Sequence, residues 1–191
     1  MLIPGYVEPS AGATPAPPRL DLLRRRLATK AGPVQVAPPP PGVEPARWAA
    51  AIHEAGHAVV GVATGGNIES LAIHGTDGEC AGTHPWDTPT VRRVAYALGG
   101  AEAESTMART RPFSACVSPV DRRYAEAEIR GSKSPDAVWN AGRGLAAAIL
   151  RKNRETVTRT ARALAFKGQL DAAEIRVLLQ AVAPMGGVTK S

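Results

Sequence analysis

Two histidines four residues apart, with a glutamate directly after the first, stand at His53-Glu54-Ala55-Gly56-His57 of this 191-residue chain. On a helix, residues four apart share a face, so both imidazoles can aim a ring nitrogen at one point. A metal ion suits that point. Glu54 lies about 100° further round the helix, which puts its carboxylate beside the metal instead of on it. Zinc held by two imidazoles and one further protein ligand keeps a position for water, whose pKa it lowers from about 15.7 to roughly 7. Glu54 is then placed as the general base that takes the water's proton and hands it to a departing amine. This is the chemistry of an HExxH zinc metalloendopeptidase. The bare pattern also arises on helices that bind nothing, so its surroundings matter. Ala49, Ala50, Ala51, Ala55, Gly56 and Ala58 make this helix thin enough for neighbours to wall in a metal. Only four histidines exist in the chain, and two are here.

The elements that must position these groups can be read in order. Pro45 suits a first helical position, and the helix it opens runs to about Thr64, where Gly65-Gly66 stops it. Residues 69–74 and 79–84 are short candidate strands around the turn Gly75-Thr76-Asp77-Gly78. A second helix is predicted from Thr90 to about Arg109, with Val91, Val94, Leu98 and Ala101 at helical spacing. Ser118-Pro119-Val120-Asp121 opens a third, ended by Gly131. An alanine-rich helical segment follows from Pro135 to about Lys167, long enough to hold a break. Asp171 caps a last helix over residues 172–183. The predicted fold is mostly α: a helical zincin-like metallopeptidase domain with one small β-hairpin or sheet.

Composition sets the outer bounds. Hydrophobic residues make up 44% of the chain but aromatics only 4%, so the core must be built from Ala, Val, Leu and Ile, as in packed helices. Most of the 17 prolines fall within the first 45 residues, a density that favours extended chain over packing. The expected division is a Pro-rich segment over 1–45, a metallopeptidase domain over 46–185 and a tail over 186–191. Within the first segment, Leu20 to Leu27 could form a short basic amphipathic helix. No run approaches the roughly 20 apolar residues of a membrane span, and the N-terminus lacks the regions of a signal peptide. The expected location is therefore the cytoplasm, without membrane attachment. Cys80 and Cys116 have no CxxC partner and read as free thiols. The net charge of +6 is spread along the chain, which argues for solvated helix faces over a nucleic-acid surface.

Beyond the four letters of the motif, His53 to Val60 (HEAGHAVV) resembles the zinc helix of the FtsH-type ATP-dependent zinc proteases. The likeness runs over residues 46–182. Ser70 to Gly75 (SLAIHG) is similar to that family's strand beside the active site, and Leu98 to Glu104 (LGGAEAE) to its LGGRxAE segment. Ser118-Pro119-Val120-Asp121 resembles the segment whose aspartate is the third zinc ligand, and Leu170-Asp171 with Glu174 to Leu179 resembles part of the closing helix pair. The resemblance implies zinc bound by His53, His57 and Asp121, with Glu54 catalytic. The chain departs from the family in having no ATPase module, no GxxxxGK[ST] phosphate loop and no membrane segment, and in carrying Ala101 where arginine is preferred.

Other third ligands compete. Ser118-x-x-Asp121 is also a capping-box arrangement, in which the acid serves the helix start, and the two roles compete for one carboxylate. Glu102 and Glu104 on the second helix are rival ligands, or Glu104 could orient a zinc histidine. His74 and His84 rank lower, His74 with a substrate-side role. Three functions remain in view. The leading one is an endopeptidase that cuts unfolded or flexible protein segments without ATP. The second is a noncatalytic zinc-stabilised module binding a protein or nucleic acid. The third is a peptidase subunit that borrows a separate ATPase, or assembles with copies of itself.

Overall fold

The computed structural model describes residues 37–109 and 111–185. The stretch from Leu20 to Leu27, expected as a short helix, and the expected tail over 186–191 lie outside these residues.

One helix forms the centre of the fold. Helix α1, Pro45–Ala63, is buried almost continuously from Trp48 to Gly61. Its small and branched residues are apolar all round, and a helix of that kind has no face suited to water. Pro45 sits in its first turn as expected, and Thr64 closes it, the hydroxyl donating to Val60 O at 2.8 Å. Gly65 then turns the chain at φ 93°, a conformation glycine adopts without steric cost.

The chain next forms β1, Asn67–His74, and β2, Asp77–Thr83, an antiparallel hairpin turned at Gly75 and Thr76. A bulge falls between Ile68 and Ser70. A third strand, β3 over Gln169–Asp171, pairs Leu170 with Leu71 on the other side of β1. The order β2-β1-β3 leaves β2 at the edge. Sequence reasoning did not find β3, because three residues with one apolar side chain carry no measurable alternation.

Helix α2, Thr90–Ala103, lies against α1 along a seam of small residues. A Cβ at Gly56 would stand 2.5 Å from Ala103 Cβ and 2.7 Å from Gly99 O, so the backbones meet where no side chain fits. The expected helix to Arg109 changes character at Glu104: a π turn spans Glu104–Ala108, and Arg109 leaves it at φ 52°. A four-residue helix, α3 (Phe113–Cys116), leads to α4, Pro119–Ile129. The long alanine-rich segment is two helices, α5 (Pro135–Lys152) and α6 (Arg154–Lys167), broken at Asn153, whose Nδ2 donates to Ile149 O at 2.9 Å. Asp171 and Glu174 form a full capping box on α7, Ala172–Leu179, which ends before the expected residue 183.

The fold is thus mostly helical with a small three-stranded antiparallel sheet. Packing begins ahead of residue 46. Ala37 N donates to Met107 O at 2.9 Å, Trp48 Nε1 donates to Ala37 O at 2.7 Å, and Val43 is buried in the core. Among the described residues no helix is long and apolar enough to cross a membrane.

Candidate metal centre

The buried face of α1 carries His53 and His57 side by side, one turn apart, with their Nε2 atoms 3.1 Å from each other. Asp121 reaches them from the first turn of α4: its Oδ2 is 3.2 Å from His53 Nε2 and its Oδ1 is 3.4 Å from His57 Nε2. One ligand atom from each of the three lies within 4.8 Å of the others, and this group could hold a metal ion.

The hydrogen-bond partners behind the rings decide what the front can accept. His57 Nδ1 lies 2.8 Å from the Tyr96 carbonyl, which only accepts, so this nitrogen carries the hydrogen. His53 Nδ1 lies 3.1 Å from Glu104 Oε2, and the other Glu104 oxygen receives the Arg111 guanidinium at 2.9 and 3.1 Å. That carboxylate is ionised and also only accepts. With its Nδ1 hydrogen directed at those acceptors, each ring in its neutral form turns an Nε2 lone pair toward the other ring and toward Asp121. Positive charge at that point reconciles these donors, either as a metal ion or as the second proton that His53 takes up beside Asp121 and Glu104. Metal bonds of 2.0–2.1 Å in a tetrahedron require ligand atoms about 3.3 Å apart; the two Nε2 atoms stand 3.1 Å apart, and the carboxylate comes within 3.2 Å of one through Oδ2 and 3.4 Å of the other through Oδ1.

Charge in the centre responds accordingly. Burial alone would push the His53 imidazole down, but hydrogen bonds to Asp121 and Glu104 outweigh it and bring its pKa up to about 9. Burial works upward on Asp121, yet the two histidines hold its carboxyl well below the usual carboxylate range. Glu54 shifts the other way: burial raises its pKa against the pull of His57 and His53, with Asp121 and Glu79 adding to the rise. Glu54 is 6% exposed. Among the described residues none hydrogen-bonds its carboxylate, which borders a groove of about 1430 Å³ shared with the metal group, β2 and the start of α4.

Asp121 does not have to choose between capping and ligation. Ser118 caps α4 by accepting from the Asp121 backbone N–H at 3.1 Å, and its hydroxyl donates to Asp121 Oδ2 at 2.8 Å. The cap uses the aspartate's backbone and orients its side chain, so the expected competition for one carboxylate does not occur. Glu104 takes the orienting role behind His53. Glu102 is not brought to the centre; it points the other way and accepts from Arg143 Nε at 2.9 Å. His84 stands apart with its Nε2 2.9 Å from Thr64 Oγ1, and His74 is exposed at the hairpin turn. Cys80 and Cys116 are free thiols.

Several contributors were not singled out from sequence. Tyr96 fixes His57 through its carbonyl, packs its ring on the imidazole at 5.5 Å, and donates its phenol to Cys80 O at 3.2 Å, tying β2 to the centre. Arg111 holds Glu104. Gly78 lets β2 lie over Glu54, since a Cβ there would come 2.5 Å from its Oε1. Gly100 admits the two rings, for a Cβ there would collide with the Nε2 atoms of both His53 and His57. The available signal was a glycine pair inside a helix, which costs about 1 kcal/mol per glycine and so calls for a packing reason. Gly100→Ala is therefore expected to displace the imidazoles and weaken metal binding about 10- to 100-fold, in line with overpacking costs of about 1–3 kcal/mol. Competition with a chromophoric chelator measures it, and unchanged affinity contradicts it.

The chain matches no known family model and no curated protein.

Proposed function

We propose that the chain is a zinc-dependent endopeptidase acting on unfolded or flexible protein segments, of the same kind as the FtsH-type proteases its motifs resemble. The observation that carries this reading is the convergence of His53, His57 and Asp121 beside a buried Glu54 whose carboxylate no described residue hydrogen-bonds. A structural metal site has no use for such a carboxylate, which raises the cost of burial without repaying it in hydrogen bonds.

Two imidazoles and one carboxylate are a donor set suited to zinc, and they leave room for a further ligand as catalytic sites do. Bound there, zinc supplies Lewis-acid chemistry for hydrolysis. Each residue of the chain then has a defined part. Glu104 and the Tyr96 carbonyl hold the histidines in the tautomer that offers Nε2. Ser118 orients Asp121. Glu54, with its pKa raised by burial, accepts a proton from the attacking water and returns it to the leaving amine. The free edge of β2 along the groove gives an extended segment backbone groups to pair with, while its scissile carbonyl faces the metal group.

A folded domain populates its unfolded state at about one part in 10³ or less, so a chain acting without ATP is limited to segments already extended. The purified protein is expected to hydrolyse casein, to lose that activity in phenanthroline, to regain it with zinc and to ignore ATP. Hydrolysis indifferent to the chelator overturns the zinc reading. Rapid degradation of a tightly folded protein overturns the substrate class.

A further inference from the structure

The hairpin that borders the groove carries three exposed carboxylates on its rim, Glu69, Asp77 and Glu79. Among the described residues none of them has an ion-pair partner. The one lysine or arginine of the described residues on the groove wall is Arg111, and Glu104 already holds it. This acidity is local, since the whole chain carries a net charge of +6. Beneath the same hairpin, Glu54 is buried and open to the groove, and among the described residues none hydrogen-bonds its carboxylate.

Register gives these charges a reader. Asp77 and Glu79 are two residues apart on β2, so they share a face of the sheet, and among the described residues no strand pairs with the outer edge of β2. A strand added along that edge places its own same-face side chains about 4.5–5.5 Å from theirs, where opposite charges attract and like charges repel.

Resting on the peptidase reading, we propose that the groove selects cationic segments, with Asp77, Glu79 and Glu69 receiving lysine or arginine side chains that flank the bond to be cut. Acidic segments are excluded by the same carboxylates, so the rim sets specificity by rejection as well as attraction.

The test uses two flexible peptides of identical sequence except for lysine or glutamate at the positions flanking a common central segment. The zinc-loaded protein is expected to cleave the lysine peptide with a kcat/KM about 10-fold higher, a ratio that shrinks in 0.5 M salt as the roughly 10 Å Debye length of 0.1 M contracts. Asp77→Lys with Glu79→Lys should reverse the preference at unchanged zinc content. Binding to Glu54→Gln, read by fluorescence anisotropy, keeps specificity separate from catalysis. If the lysine peptide binds better but the parent protein cuts neither, the peptidase reading fails and the cationic preference stands. Equal binding of the two peptides, preference for the glutamate peptide, or binding of neither overturns the proposal.

Discussion

Glu54→Gln is expected to keep its metal and its fold while peptide hydrolysis falls by about 10²–10⁴-fold, the usual cost of losing a general base. The amide preserves the shape of the side chain under Gly78, where β2 leaves room for it. It contributes no ligand to the His53, His57 and Asp121 group, so metal content should not change. Stability should hold as well. Burial raises the pKa of Glu54, which means that its charged form is disfavoured in the folded state, and a neutral amide removes that penalty. Activity on casein, zinc content and melting temperature, measured on one preparation, check all three. Full activity would take Glu54 out of the mechanism.

The second large effect separates ligands from the groups that orient them. Asp121→Ala removes one of three donors and is expected to lose the metal and, with it, hydrolysis. Its helix should survive, because Ser118 caps α4 through the backbone N–H of residue 121 and not through the carboxylate. Glu104→Ala leaves His53 Nδ1 and Arg111 without their shared carboxylate, but keeps every donor of the group. Loss of such an orienting partner typically weakens metal affinity about 10- to 100-fold without abolishing it. Zinc titrations of the two variants should therefore differ in kind. If Glu104→Ala loses the metal and Asp121→Ala keeps it, the ligand assignment is reversed.

What the sequence made legible follows from the range of each signal. The α1 site was readable because His53 and His57 are related by one helical turn, a local period. The capping box at Asp171 and Glu174 and the turn at Gly75 are local for the same reason. Asp121 is 64 residues beyond His57 in the sequence, and no periodicity connects them; only the likeness of its segment to a known family singled it out. The π turn that starts at Glu104 escaped because its residues continue the helical pattern of α2 while the backbone hydrogen bonding changes. β3 escaped because it is too short to show alternation. The roles of Gly78 and Gly100 depend on what stands opposite them, which a one-dimensional pattern does not contain. The rim carboxylates were ordinary surface acids until the hairpin register set Asp77 and Glu79 along a free edge.

Elemental analysis of the purified protein, run beside His57→Ala, tests the centre of this account most directly. His57 supplies a donor that no neighbouring residue of the group can replace, and its Nε2 faces both other ligands. The expected result is one zinc per chain in the parent protein, none retained by the variant after dialysis, and casein hydrolysis that tracks the metal. A parent protein that hydrolyses casein while carrying no metal, or a His57→Ala variant that keeps its full zinc, would contradict it.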